Sequence, residues 1–432
     1  MLSRSDRHRK NHKESKWPVK RLVAWIAAIA AVCLILVLGA IYLFSQSNQA
    51  TMNQGKTPLA VSAAPTSSAA VTTKPEATPK PDQQPTPVPS QPIPTASTVP
   101  SAPALTEAPQ TPLTGQQVKL SFVGDVIFSS TVEVQMKKNG YDYPYTFVKD
   151  YLQKADYTVA NLETPITVRG EVQKKDYVYR GSPLALPPFK DAGVDLVNLA
   201  NNHVMDYGKE GLLDTFDELK KVDIKYIGAG KDAAEAYSPV IVEKQGIKIA
   251  FLGFSRVVPE GSWKAGVNHP GVAETYSYTM PVEAIQKARQ QADLVVVIAH
   301  WGVERTDNPD KFQTELAHRY IDAGADLIVA SHPHVLQGFE NYKGKWIAYS
   351  LGNFIFTVNE VQKTLESVIL QATCSKEKRC DLDLVPIQNK VAQPEIMAKE
   401  KATKLFERLS QISIQAKVNE AGRVVPLQTL QR

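Results

Sequence analysis

Residues 191–204 read DAGVDLVNLANNHV, and they have an echo, DAGADLIVASHPHV, at residues 322–335. Seven of the fourteen positions are identical, including the closing His-Val. Each stretch has the pattern of a helix end, a short buried strand and then an abrupt change to polar residues. Gly193 and Gly324 suit the position that follows a helix, where a positive φ is needed. The echo therefore predicts repeated helix-to-strand units of an α/β domain.

The region around the echo extends this pattern over residues 117–390, where short apolar runs alternate with amphipathic stretches. Strands are predicted at Lys119–Val126, Tyr157–Leu162, Leu196–Ala200, Val240–Val242, Ile247–Gly253, Leu294–Ala299, Leu327–Ala330 and Trp346–Leu351. Helices are predicted at Lys209–Lys221 and Pro281–Gln291, a hairpin at Ser367–Cys374 and Cys380–Ile387, and a helical tail over residues 391–432. A domain of this length can bury a large core.

The segments before this domain have a different character. Residues 1–21 hold eight basic and two acidic side chains, whereas the other 411 residues hold 41 basic and 42 acidic ones, so the excess positive charge belongs to this arm. Residues 22–44 have no charge and are long enough to span a bilayer. Because basic residues stay in the cytoplasm, we expect a single-pass cell-membrane protein with its C-terminal domain outside. Residues 45–116 are rich in Pro, Ser and Thr and are predicted to form a disordered linker.

The overall composition excludes several classes of protein. With 43% hydrophobic and 22% charged residues, the chain is neither wholly disordered nor a polytopic membrane protein. Three cysteines exclude a disulfide scaffold and a four-cysteine zinc site. Since the chain outside the arm is almost neutral, we expect no nucleic-acid partner.

Polar residues follow the predicted strands at the points where those strands end. In α/β sheets, ligands bind beyond the carboxyl ends of the strands. Four of the eight histidines take part, and the full set is Asp125, Asn161, Glu163, Asn202, His203, His300, His332 and His334. A mixed set of imidazole, carboxylate and amide groups without cysteine fits Mn, Fe or Zn. The sequence therefore predicts a divalent-metal rim, with a pair of ions as one form of it.

Six motifs in this order resemble the capsule synthesis protein CapA family, the poly-gamma-glutamate biosynthesis proteins. They are Phe122–Asp125, Asn161–Pro165, Asn201–Gly208, His300–Glu304, Ser331–Gln337 and Tyr349–Phe356. That family is related to the calcineurin-like metallophosphoesterases, and the resemblance implies an α/β/β/α sandwich with a metal rim. It also implies the metal ligands Asp125, Glu163, Asn202, His300, His332 and His334, with His203 as a general acid.

The chain departs from the metallophosphoesterase pattern at two positions. Ile127 stands where a histidine is usual, and Glu163 stands where an aspartate is usual. Asp206 and Glu304 are candidates to compensate at the catalytic site, or to orient a ligand histidine. Arg180 and Asn161 are the candidate substrate contacts, because a guanidinium binds an anionic group with a bidentate fork.

Two further features leave alternatives open. Cys374 and Cys380 flank the predicted hairpin turn, where they form either a disulfide outside the cell or two free thiols. Asn353 is interpreted as a turn residue, with a contact at the rim as the alternative.

Three functions compete at this point. The first is a membrane-anchored extracytoplasmic protein that supports capsule or poly-gamma-glutamate synthesis or export, together with membrane-bound synthetase and export proteins. The second is a metal-dependent hydrolase of a phosphoester or another cell-envelope substrate. The third is a non-catalytic module that binds an anionic polymer. Because the overall charge is balanced, Arg180 or a bound metal would have to attract such a polymer.

Overall fold

The computed structural model describes residues 105–108, 111–357 and 360–429. The predicted basic arm, the predicted membrane span and most of the predicted linker lie outside these residues. Within the described ranges, no helix combines the length and the apolar character that crossing a bilayer requires.

The described residues form nineteen strands and eight α-helices. The strands are β1 (Leu105–Glu107), β2 (Gln117–Val126), β3 (Tyr157–Leu162), β4 (Leu196–Asn198), β5 (Lys225–Ile227), β6 (Ala229–Gly230), β7 (Val240–Lys244), β8 (Ile247–Ser255), β9 (Gly271–Val272), β10 (Leu294–His300), β11 (Leu327–Ser331), β12 (Phe339–Tyr342), β13 (Lys345–Ala348), β14 (Asn353–Ile355), β15 (Glu366–Ser375), β16 (Cys380–Lys390), β17 (Gln393–Ile396), β18 (Ala416–Val418) and β19 (Arg423–Thr429). The helices are α1 (Ser130–Asn139), α2 (Lys149–Gln153), α3 (Leu186–Asp191), α4 (Gly208–Lys221), α5 (Ala233–Ala236), α6 (Thr279–Arg289), α7 (Lys311–Ala323) and α8 (Lys399–Ile412).

Two sheets carry the architecture. The larger has eleven strands in the order β1-β19-β16-β15-β2-β3-β4-β5, with β14, β17 and β18 attached at its side. The smaller has six strands in the order β12-β13-β11-β10-β8-β7. The run β2 to β5 is parallel, and so is the run β8, β10, β11 and β13. Each sheet therefore has a set of carboxyl ends that point to one edge.

The hydrophobic residues form three layers of core. One cluster joins the inner faces of the two sheets and includes Phe122 from β2 and Phe251 from β8. A second packs α1 to α4 on the outer face of the larger sheet, with Phe189 and Leu212 among its members. A third packs α6 and α7 on the smaller sheet. The order of layers is α/β/β/α, and the predicted mixed α/β class is confirmed.

Strand register explains why the polar residues meet at one edge. Asp125 in β2 pairs with Asn161 in β3, and Asn161 pairs with Asn198 in β4. In the smaller sheet, His300 pairs with Ser331 and with Ser255. Next to Asp125, the backbone of Gly124 packs closely against that of Gly352. A Cβ at position 124 would lie 1.9 Å from the carbonyl oxygen of Gly352. This contact leaves no room for any other residue at position 124.

The elements predicted from sequence are confirmed, with ends that shift by a few residues. The predicted hairpin is β15 and β16, and a disulfide joins Cys374 to Cys380 across it. Gly193 and Gly324 have φ of 106° and 118°, as the echo predicts.

Three expectations need correction. The predicted linker 45–116 extends too far, because β1 pairs with the edge strand β19 through backbone hydrogen bonds that need no apolar pattern. The tail 391–432 is not helical throughout, since it adds β17, β18 and β19 around α8. Asn353 is not a turn residue. It opens β14, and its side chain contacts His334.

Candidate metal centre

A buried carboxylate lies at the middle of the site. Glu163 directly follows β3, has no solvent exposure, and neither of its oxygens has a hydrogen-bond partner. An uncompensated buried carboxylate costs several kcal/mol, roughly, unless a cation or hydrogen bonds stabilise it. The nearest imidazole nitrogen, Nε2 of His300, is 3.5 Å from Oε1. The environment of Glu163 therefore fits a bound cation.

Two groups of potential ligands share this carboxylate. One contains Glu163, His300 and His332, and the other contains Asp125, Glu163 and His334. In each group the ligand atoms lie within 4.8 Å of one another. A carboxylate common to both groups can bridge two ions, which is the arrangement that two-metal sites use. The described residues thus offer donors for one or two divalent ions.

The segment that carries His332 and His334 has an unusual backbone. Their φ values are 103° and 57°, in a region that side chains rarely adopt. The Nδ1 atom of His332 is buried and has no hydrogen-bond partner. Residues held in such conformations cluster at binding sites, where other interactions offset the strain. Here the backbone turns both imidazoles toward the two carboxylates.

Asp125 is held by a network of its own. Its Oδ1 accepts a hydrogen bond of 2.8 Å from Asn161, and its Oδ2 lies 3.2 Å from Nδ1 of His334. Burial opposes ionisation of Asp125, but the hydrogen bond and charge of His334 outweigh it and lower the pKa of Asp125. The same partnership outweighs burial at His334 and raises its pKa. Asp125 is therefore ionised and oriented before any ligand binds.

Burial controls the other titratable groups of the centre. It raises the pKa of Glu163 well above the usual value, with the charge of Asp125 adding to the effect. It lowers the pKa of His300 well below the usual value and that of His332 to about 3, helped by neighbouring histidines. Neutral imidazoles beside a carboxylate that lacks a partner form a donor set suited to a divalent cation.

Asn161 and Asn202 have different places in the centre. Asn161 is 1% exposed, and its amide is occupied by Asp125 and by Asn198, which donates to its oxygen at 3.0 Å. We therefore correct the predicted substrate contact: Asn161 positions Asp125. Asn202 presents its amide oxygen 2.8 Å from Nε2 of His300, beside the ligand group.

A second polar cluster adjoins the ligands. Nδ1 of His203 lies 2.7 Å from Oδ2 of Asp206, and the backbone N–H of Tyr179 donates to the same oxygen at 2.8 Å. Lys175 donates to Oδ1 of Asp206 and to the carbonyl oxygen of Asn202, each at 2.6 Å. Burial lowers the pKa of His203 in spite of Asp206. Asp206 thus orients His203, and Lys175 compensates the buried charge of Asp206.

Lys175 is the residue that sequence reasoning missed. It lies in the loop after β3, and its partners are 27 to 31 residues further along the chain. Neither spacing nor periodicity in the segment around it signals that contact.

The remaining candidates lie at the margin of the centre. Glu304 is exposed, and no hydrogen bond joins its carboxylate to a histidine of the described region. Asp206 therefore has the orienting role through its contact with His203, and no contact of that kind is seen for Glu304 among the described residues. Arg180 is exposed, with its guanidinium 4.4 Å from the centre of the Tyr207 ring. Ile127 is fully buried and supplies no ligand atom.

Comparisons with known proteins agree on one family. The model described as bacterial capsule synthesis protein PGA_cap matches residues 119–358. The PGA biosynthesis protein CapA of Bacillus subtilis (strain 168) is 35% identical over 283 residues, covering 65% of this chain and 74% of that protein. The capsule biosynthesis protein CapA of Bacillus anthracis is 34% identical over 298 residues, covering 66% and 71%.

A solved structure also aligns with the chain. It is a novel phosphatase of Mycoplasma pneumoniae, 14% identical, which covers 68% of this chain and 99% of its own with a TM-score of 0.40. This similarity is too low to carry an argument about activity.

Proposed function

The chain belongs to the bacterial capsule synthesis protein PGA_cap family, and from this premise we propose that it supports the synthesis or export of an anionic capsule polymer, poly-gamma-glutamate. Its folded domain acts outside the cell, and residues 22–44 anchor it in the cell membrane with the N-terminus in the cytoplasm. Its partners are the membrane-bound proteins that synthesise and export the polymer. The names of two relatives, a PGA and a capsule biosynthesis protein, support the role in polymer synthesis.

We propose further that the centre binds a divalent metal, Mn, Fe or Zn. The observation that carries this proposal is Glu163, a fully buried carboxylate whose two oxygens have no hydrogen-bond partner. Asp125, His300, His332 and His334 complete the donor set, and Asn202 adds an amide oxygen beside His300. The absence of cysteine among these donors favours harder cations than a thiolate site would select.

Deletion of the gene in a polymer-producing host tests the role in synthesis. We expect surface polymer to fall to background and to return with the full chain. The Glu163→Gln variant, which removes one charge at constant shape, should not restore it. The matched control Glu304→Gln changes an exposed carboxylate and should restore it. Unchanged surface polymer in the deletion strain would refute the proposed role.

A second candidate function is metal-dependent hydrolysis of a phosphoester or an amide in the cell envelope. The observation that favours it is His203, held by Asp206 beside the ligand groups. A bound metal would supply Lewis acidity to such a reaction. His203 is placed to hold a proton for a leaving group, while Asp206 fixes its ring and Lys175 pairs with Asp206 at 2.6 Å.

Kinetics with the metal-loaded full chain separate hydrolysis from simple binding. Generic phosphoesters and a poly-gamma-glutamate sample serve as substrates. We expect His203→Ala to slow turnover by about 10²–10⁴-fold, the usual contribution of a general acid or base, with metal content unchanged. If metal-loaded protein releases no product from either substrate class, the centre serves binding rather than hydrolysis.

A further inference from the structure

The arginines of the described residues fall into two groups. Five have a carboxylate within 4.0 Å, and they are Arg169, Arg289, Arg319, Arg408 and Arg423. Four have no such ion pair within the described part of the chain, and they are Arg180, Arg256, Arg305 and Arg379. Three of these four lie in loops whose backbone contacts residues of the metal centre or of the neighbouring polar cluster. We call Arg180, Arg256 and Arg305 the arginine arc.

Arg256 is held in place without being neutralised. It follows β8, and its backbone N–H donates to the carbonyl oxygen of His300 at 2.8 Å. Its guanidinium lies 4.1 Å from the centre of the Phe312 ring and 5.2 Å from that of Tyr276. Both rings are exposed. Its Nη1 donates to the carbonyl oxygen of Thr275 at 3.4 Å. Aromatic faces orient a guanidinium and leave the rest of its edge able to donate hydrogen bonds.

Arg305 and Arg180 approach the centre from two other loops. The backbone N–H of Arg305 donates at 2.7 Å to the carbonyl oxygen of Pro333, which lies between the two histidines of the strained segment. Arg180 lies over Tyr207, the neighbour of Asp206. Both arginine side chains are exposed. The arc therefore combines arginines from three loops, each of which has a backbone contact to the metal centre or to the neighbouring polar cluster.

We propose that the arginine arc is a binding site for successive carboxylates of a polyglutamate chain, which it guides to the metal centre. Planar guanidinium forks match carboxylates, and such charge-assisted bonds are stronger than neutral ones. Unpaired arginines on separate loops suit a ligand that carries repeated negative charges. Outside residues 1–21 the chain has 41 basic and 42 acidic side chains, so its overall charge cannot attract a polyanion, and a local cluster must do so.

The inference rests on the proposed function for the identity of the polymer, and binding measurements with the full chain test it. The probe is a fluorescently labelled poly-gamma-glutamate, with inorganic polyphosphate as a second probe. The test variant is the double substitution Arg180→Gln/Arg305→Gln, because both side chains are exposed and the core is untouched. The matched control is Arg379→Gln, the fourth arginine without an ion pair, whose guanidinium donates to the carbonyl oxygen of Thr111.

The expected result is a loss of affinity for poly-gamma-glutamate of at least about 100-fold in the double variant, from two lost charge-assisted bonds. The salt dependence of binding should also weaken. Arg379→Gln should bind like the unchanged chain. Arg256→Lys keeps the charge but loses the planar fork, so its affinity should lie between those of the unchanged chain and the double variant.

Three results would overturn the inference. They are equal affinity in the double variant and the unchanged chain, no binding of poly-gamma-glutamate by the unchanged chain, or tighter arc-dependent binding of polyphosphate. The deletion experiment remains independent of these results. If the deletion strain loses surface polymer but the double variant binds poly-gamma-glutamate normally, the binding role of the arginine arc is refuted and the proposed function is retained. If binding depends on the arginine arc but deletion leaves surface polymer unchanged, the arc is supported and the proposed function is refuted.

Discussion

The two echo segments share a fold but differ in how their polar ends are satisfied. In residues 191–204, the side chain of Asn201 accepts from the backbone N–H groups of His203 and Val204, at 3.1 and 2.9 Å. His203 in turn contacts Asp206. In residues 322–335, both histidines have positive φ, and Nδ1 of His332 has no partner. The first end is hydrogen-bonded within the protein, whereas the second leaves a buried imidazole nitrogen without a partner.

This difference shows how one local architecture supplies two kinds of chemistry. The common part, a helix end, a glycine and a buried strand, brings polar residues to the same edge of each sheet. The residues after the strand then decide the role. Asn-Asn-His builds a hydrogen-bonded loop that positions a proton carrier. His-Pro-His instead adopts a strained backbone conformation with positive φ, which presents ligand atoms.

The largest predicted effect is the loss of metal affinity when a histidine of the second segment, residues 322–335, is replaced. His332→Ala removes a direct ligand, so we expect divalent-metal affinity to fall by more than about 100-fold, beyond the usual cost of losing an outer partner. His203→Ala removes a group of the first segment and should change affinity only a few-fold. Titration calorimetry with Mn²⁺ on the full chain measures both. Equal losses in the two variants would erase the distinction between the segments.

The second prediction concerns the stability that Lys175 gives to the end of the first segment, residues 191–204. Lys175→Met leaves the buried carboxylate of Asp206 without its cation, and we expect a loss of roughly 3 kcal/mol in the free energy of unfolding. The neighbouring Lys174→Met changes an exposed side chain and should stay within about 0.5 kcal/mol. Urea unfolding of the metal-free chain measures the difference.

The double variant Lys175→Met/Asp206→Asn provides a check on the cause. Removing both charges should recover much of the lost stability, because the cost of a buried pair appears when one partner is removed. No recovery would assign the loss to packing of the lysine stem rather than to charge.

The third prediction concerns pH and sharpens the role of the second segment. Burial opposes the charged form of His334, but the hydrogen bond and charge of Asp125 outweigh burial and raise the pKa of His334, so in metal-free protein its ring keeps a proton to a higher pH than an ordinary imidazole does. Metal binding requires that proton to leave. Apparent affinity should therefore rise up to about tenfold per pH unit until the raised pKa is passed, then level off.

Two other groups set the limits of this pH effect. Burial raises the pKa of Glu163, which adds to the slope, whereas His332, with a pKa of about 3, is already neutral and adds nothing. Calorimetry in buffers of different ionisation enthalpy counts the released protons. Affinity that stays flat between about pH 6 and 8 would contradict the assignment of His334.

The smallest predicted effect concerns the glycine that follows the helix end in both segments. Gly193→Ala and Gly324→Ala both place a side chain at positive φ, which costs about 1–2 kcal/mol. At Gly193 the new Cβ meets backbone atoms of Gln153 and Leu152 at 3.3 Å, whereas at Gly324 its neighbours are side-chain atoms of Arg289. Gly193→Ala should therefore cost more in urea unfolding. The reverse order would show that these backbone contacts do not decide the cost.

Much of this arrangement follows from sequence because it depends on local patterns. Apolar runs predict the strands, and parallel strands bring Asp125, Glu163, His300 and His332 to adjoining edges. The family motifs extend this to the α/β/β/α layers. Asn161 shows where such reasoning ends: its position at a strand end is predictable, but only its contacts distinguish a positioning residue from a substrate contact.

Other features depend on contacts between distant loops. Lys175 meets its partners across 27 to 31 residues, and Arg305 reaches Pro333 from another loop. The strand β1 joins the sheet by backbone pairing alone. None of these contacts has a periodic or compositional signature, so tertiary structure is needed to find them.

Elemental analysis of the full chain, purified without chelators, shows whether Glu163 and its neighbours hold a metal. We expect one or two equivalents of Mn, Fe or Zn per chain, lost in Glu163→Gln and kept in Glu304→Gln. Metal-free protein after purification and after incubation with each of these ions would contradict it, and Glu163 would then be a neutral buried acid rather than a shared ligand.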